Sequence, residues 1–138
     1  MAGPLSAPAR LKSLLDDYGP TRGPNAPDNL LAHIYDGNPA MGGTELDDVT
    51  CPGYEPVAID SDDFEATDDN QVQVEATVAD ATGAWTRTGR WVVLEDADNL
   101  GEFWDYVPIA AVTAADAGPF AGPLLIALNY VDDATAPA

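Results

Sequence analysis

The chain has 138 residues, enough for one domain around a single core. Asp and Glu number 24 against 5 Lys and Arg, a formal net charge of −19, while 46% of the residues are hydrophobic. This excludes a disordered chain and the basic footprint that binding to nucleic acid or anionic lipid usually needs.

Cys51 is the single cysteine, so an internal disulfide and a multi-cysteine zinc site are excluded; the residue reads as a passive small side chain. No apolar run is long enough to cross a bilayer, and no charged-then-apolar leader opens the chain. A soluble protein made in the cytoplasm, without membrane contact, is expected. Asp outnumbers Glu and Lys12 is the only lysine, a balance that suits high salt. Like-charge repulsion then relaxes as ions screen it, so the unfolding midpoint should climb steeply between low and molar salt.

In chain order, Met1 to Pro8 reads as a small, Pro-rich arm with Leu5 as its apolar residue. Pro8 can open a helix. Leu11, Leu14 and Leu15 then share a face, Tyr18 follows, and Gly19-Pro20 stops the run. Such a brief helix must dock to persist. It either covers one end of its own domain or, with the arm, docks on a neighbouring subunit through Leu5, Leu11, Leu14, Leu15 and Tyr18. Thr21 to Asp28 reads as an extended linker, so residues 1–28 form arm, helix and linker, 29–131 a β domain, and 132–138 a tail.

The strand Leu30–Asp36 runs into a long Gly/Pro-rich loop, and a second strand, Tyr54–Ile59, enters through Gly53 and is interrupted by Pro56. A connection this long usually does something. Glu45 is the charged residue among the loop's first small groups. It reads as a carboxylate that accepts backbone N–H bonds and pins the loop, in preference to a catalytic or metal carboxylate, since no second catalytic group stands at fixed spacing. His33, the only histidine, reads as structural for the same reason. Asp60 onward looks faintly like a calcium loop, but Glu65 and Gln71 stand where glycine and glutamate are required. An acidic turn attracting loosely held cations is expected, with no cofactor.

Gln71–Val78 alternates, with Val72, Val74, Ala76 and Val78 on one face, as a half-buried antiparallel strand does. Trp85, Arg87, Arg90 and Trp91 could form a surface recognition patch, although in so acidic a chain the arginines are expected to pair with local carboxylates. Trp91–Glu95 and Glu102–Val107 flank a hairpin turn at Asp96–Gly101. Pro108 starts a new segment, Ile109–Thr113, and Leu124–Val131 is the last strand. About seven short strands and one helix predict an antiparallel β-sandwich of Greek-key or jelly-roll type.

With its strands placed, the chain resembles small virion proteins of tailed phages and archaeal tailed viruses, of the tail-fibre-like and head-decoration kind. The likeness lies in the order of its motifs: Leu11–Leu15, Leu30–Pro39, Gly43-Thr44-Glu45, Gly53-Tyr54, Val72–Val78, Trp85, Asp96–Gly101 and Leu124–Leu128. Where that family often carries a basic residue soon after the tyrosine, this chain has Glu55-Pro56, which puts any contact made by that residue in doubt. The resemblance implies a structural role without catalysis. The expectation is a decoration module on the outer surface of a virus head. Its partners would be the major capsid protein or other virion proteins, and it would self-associate as a trimer or vertex pentamer. The alternatives are a component of the tail tip or fibre base and a carbohydrate- or cell-surface-binding sandwich. The last requires at least two of Trp85, Trp91 and Trp104 exposed together on one face.

Overall fold

The structure is a computed structural model that describes residues 7–67 and 71–128, with side chains from residue 11 onward. One helix, α1 (Ala7–Asp17), precedes seven strands: β1 (Asn29–Tyr35), β2 (Val57–Asp60), β3 (Glu65–Ala66), β4 (Val72–Ala76), β5 (Gly89–Asp96), β6 (Phe103–Val112) and β7 (Leu124–Leu128). They form a four-stranded sheet in the order β2-β1-β5-β6 and a three-stranded sheet in the order β3-β4-β7, with every pairing antiparallel. This is the β-sandwich that the alternating pattern predicts.

Period-2 alternation makes the core. Leu30, Ala32 and Ile34 of β1 and Val92 and Leu94 of β5 point inward from the larger sheet. Val72, Val74 and Ala76 of β4 and Leu124, Ile126 and Leu128 of β7 meet them from the smaller one. Emptying such a site, for example by Ile34→Ala, costs about 2–5 kcal/mol through lost transfer energy and the cavity left behind.

Helix α1 belongs to the same core. Leu14 and Tyr18 are buried, Leu11 and Leu15 pack against the cluster, and the Tyr18 ring lies 5.0 Å from that of Phe64. The side chains expected to dock elsewhere are therefore used within the chain, so the helix covers one end of its own domain. Leu5 and the rest of residues 1–6 lie outside the described residues. Gly19, at φ +98°, ends the helix in the left-handed region that its missing Cβ permits. The linker that follows is tied down by Arg22, which pairs with Asp28 at 2.6 Å and with Asp62, and donates to the Gly19 carbonyl at 2.8 Å.

Three boundaries differ from the sequence reading. The second strand starts at Val57, because Glu55-Pro56 breaks the ladder and Tyr54 is released for another role. Pro108 does not divide β6, which runs unbroken through it; β6 is an edge strand, where a missing N–H is tolerated. The two-residue β3 lies within the acidic stretch read as a turn. The last strand is described only to Leu128, so Tyr130 and Val131 fall outside the described residues.

Candidate functional site

The long loop after β1 returns along that strand's own edge. Strand β2 covers β1 from Asn29 to Ala32, and beyond that point the loop takes over. Leu46 donates its amide to the Ile34 carbonyl at 2.9 Å, Asp36 donates to Thr44 at 3.0 Å, and Tyr35 bridges Glu45. One β1 amide falls in the gap between the two partners. Tyr54 fills it: its hydroxyl accepts from the Ile34 N–H at 2.9 Å and donates to Glu45 Oε2 at 2.6 Å. Burial, and then the Glu45 carboxylate, drive the Tyr54 hydroxyl far above its ordinary range, so it stays a donor.

Glu45 also meets His33. The imidazole Nδ1 lies 2.8 Å from Glu45 Oε2, and Nε2 lies 2.8 Å from Glu95 Oε1. The second oxygen of Glu95 accepts the Gly101 N–H at 2.7 Å in the β5–β6 hairpin. That amide, followed by the histidine, holds the Glu95 carboxyl below the usual range, although only 7% of the residue is exposed. Nearby Tyr35 is pushed up by burial and then by the charges of Glu45 and Glu95. Each ring nitrogen of His33 thus faces a carboxylate oxygen, one on the loop and one at the end of β5. Glu45 does pin the loop, but through a phenol and an imidazole and not through backbone amides.

Arg87 fastens the loop from its other side. It donates to the Glu45 carbonyl at 3.0 Å, to Asp47 at 3.3 Å and to Asp36 at 2.9 Å, and also to the Thr44 carbonyl and hydroxyl at 3.1 and 2.7 Å. The carboxyl of Asp36 is lowered by the Thr44 amide and then by Arg87, and that of Asp47 by the Thr50 amide. Gly43 makes the loop's turn possible, since a Cβ there would stand 2.1 Å from the Gly37 carbonyl oxygen. Within the loop, Cys51 is fully buried.

The four residues read as a recognition patch are dispersed. Trp85 is 6% exposed, donates to the Pro52 carbonyl at 3.0 Å, and packs edge-on against Tyr54 and Phe120. Arg87 is committed to the loop, as local carboxylate pairing predicts. Arg90 is exposed, and Trp91 is half-buried on the outer face of the larger sheet. Trp104 packs against the core, so the three tryptophans do not share an exposed platform. What the outer face does present is Trp91 tilted against Tyr106, with ring centroids 6.0 Å apart, and Phe103, 60% exposed, farther along β6. The sequence reading sets Phe103 and Trp104 on opposite faces of their strand but gives no recognition role to Phe103 or Tyr106, and no role in the brace to Tyr54 or Glu95.

Through its two ring nitrogens the histidine ties the loop, the sheet and the hairpin together. Among the described residues, no group of three or more His, Cys, Asp or Glu is placed to hold a metal ion, and no helix is long and apolar enough to cross a membrane. Asp60 caps a short 3-10 turn through the Asp62 amide at 2.9 Å. No protein family, no curated protein and no solved structure matches the chain.

Proposed function

We propose that the protein is a non-catalytic attachment module of a virion, seated on the outer surface of a tailed virus head. The observation that carries this reading is the His33 brace. The chain's one imidazole and two of its acids are used to lock a long loop and a hairpin onto one sheet, which stiffens a small body without leaving reactive groups free. A bridging module on a pressurised shell needs that rigidity, and its net charge of −19 suits a surface facing away from packaged DNA. Phe103, Trp91 and Tyr106 are the anchors offered to the coat, aromatic side chains of the kind that dominate interfaces.

Quantitative mass spectrometry of purified particles tests this. A copy number in proportion to the coat protein is expected; a ratio matching tail parts moves the module to the tail tip or fibre base, and absence from particles removes the reading. The sugar-binding reading in its two-tryptophan form is not met, but the Trp91–Tyr106 pair favours a version of it, the stacking of sugar rings on a host surface. The double variant Trp91→Ala/Tyr106→Ala separates the two: particles keep the module but lose glycan adhesion if sugars are its ligand, and lose the module itself if the coat is.

A further inference from the structure

We propose that the outer face of the larger sheet is a seat for arginine, taking guanidinium side chains displayed by a protein partner. The inference rests on the reading of that face as the one that anchors the module, and it names the chemistry of what the face grips.

The sheet register builds the seat. Tyr35 bridges Glu45 on one side and stands opposite Trp91 on the other, and Trp91 stands opposite Pro108. Residues directly opposite each other project to the same face, with Cβ atoms about 5 Å apart. An acid, a phenol, an indole and a proline therefore form one row across the sheet. Tyr106 leans onto Trp91 from the next row, its ring tilted by 43° and its centroid 6.0 Å away. A bulge in β6 adds Phe103. Leu94 faces Asp105 while the next residue, Glu95, faces Phe103, so Trp104 is an extra residue. Trp104 and Asp105 both turn inward, the first onto the core and the second to the Tyr18 hydroxyl. Phe103 and Tyr106, at 60% and 49% exposure, consequently share the outer face, where strict alternation would send one of them inside.

Charge selects the occupant. The bonds of Glu45 to His33 and Tyr54 both fall on Oε2, and its side chain is 34% exposed, so Oε1 keeps acceptor capacity beside Tyr35. Tyr35 feels the charges of both Glu45 and Glu95. Aromatic faces are electron-rich in their own right. Arg90 is exposed next to Trp91 in the chain, a single base against these carboxylates. An anionic partner is repelled here, and a second copy, with a net charge of −19, brings its own acids to the rim, Glu102 beside Phe103 among them. A guanidinium suits the seat better than an ammonium. It is planar and weakly hydrated, and it can stack on an indole while donating edgewise to a carboxylate. Contact attraction of this kind survives in molar salt, where long-range attraction to the acidic surface is screened.

The full chain, isotope-labelled, is titrated by nuclear magnetic resonance in molar NaCl with a short peptide alternating arginine and serine. A twin peptide carries citrulline, which is uncharged and of nearly the same shape, in place of arginine. The arginine peptide is expected to move the Trp91 indole signal, and the citrulline twin to bind about tenfold more weakly. Trp91→Leu should weaken the arginine peptide by a similar factor, whereas Leu125→Ala, on the other sheet, should leave it unchanged. If near-ultraviolet circular dichroism shows that Trp91→Leu perturbs the fold, Tyr106→Leu takes its place. Equal binding of the two peptides, binding indifferent to these ring substitutions, or a methyl glycoside that moves the Trp91 signal where arginine does not overturns the proposal. Attachment is judged separately, by particle occupancy: if Trp91→Ala/Tyr106→Ala is lost from particles while citrulline matches arginine, the arginine seat falls and the anchoring face stands.

Discussion

Two strand edges in this molecule are treated in opposite ways. The edge of β1 beyond Ala32 is closed by the chain itself, through a returning loop, a tyrosine hydroxyl in the gap and an imidazole brace across the face. Among the described residues, strand β7 is hydrogen-bonded only to β4; its other side lies alongside β6 without a ladder, and its own sequence carries no charge. The first edge is completed by local geometry and many polar bonds. The second is covered by an apolar neighbouring strand without ladder bonds. In a chain this acidic, where the carboxylates are missing says as much as where they are.

The first edge can be broken stepwise. The largest effect is expected from Gly43→Ala, because its Cβ would meet the Gly37 backbone and neither segment can yield without opening the turn. A loss of about 3 kcal/mol is expected in denaturant unfolding. Tyr54→Phe comes next. It orphans the Ile34 amide on a buried edge and removes a donor from Glu45, so about 2 kcal/mol should be lost.

Glu95→Gln is expected to cost about 1.5 kcal/mol at neutral pH, the worth of a hydrogen bond to a charged group. Because the folded protein holds the Glu95 carboxyl below its ordinary value, this contribution is present above the usual carboxylate range and disappears as pH falls through it. Parent and variant should therefore converge in stability in acid, and equal stability at neutral pH would remove Glu95 from the brace.

The smallest effect has the opposite sign. Asp105 accepts the Tyr18 hydroxyl at 2.6 Å, and burial raises its carboxyl, opposed by that bond and reinforced by Asp17. The fold binds this proton more tightly than the unfolded chain does, so stability falls as pH rises past the ordinary aspartate value. Asp105→Asn keeps the acceptor without the charge and should raise the neutral-pH unfolding midpoint slightly, an advantage that shrinks in acid.

Much of the sandwich was legible because alternation is a local signal. Val72 to Val78 and Leu124 to Leu128 carry it without interruption, and the Asp96–Gly101 turn announces its hairpin. Pro108 misled because only the strand's position at a sheet edge decides whether a proline is tolerated. The site was half legible. Gly43, Glu45 and Arg87 stood out by composition. Tyr54 and Glu95 did not, since a tyrosine after a glycine and a glutamate closing a strand acquire their roles only when separate segments meet at His33.

The closed edge has a practical corollary. Cys51, the chain's sole thiol, is buried within the same loop that Arg87 and Tyr54 hold, its sulfur 3.7 Å from the Arg87 carbonyl oxygen. A thiol reagent can reach it only when this part of the loop opens. The native sequence thus carries its own stopwatch for the breathing of the loop, set by the strength of the bonds around Glu45 and needing no engineered label.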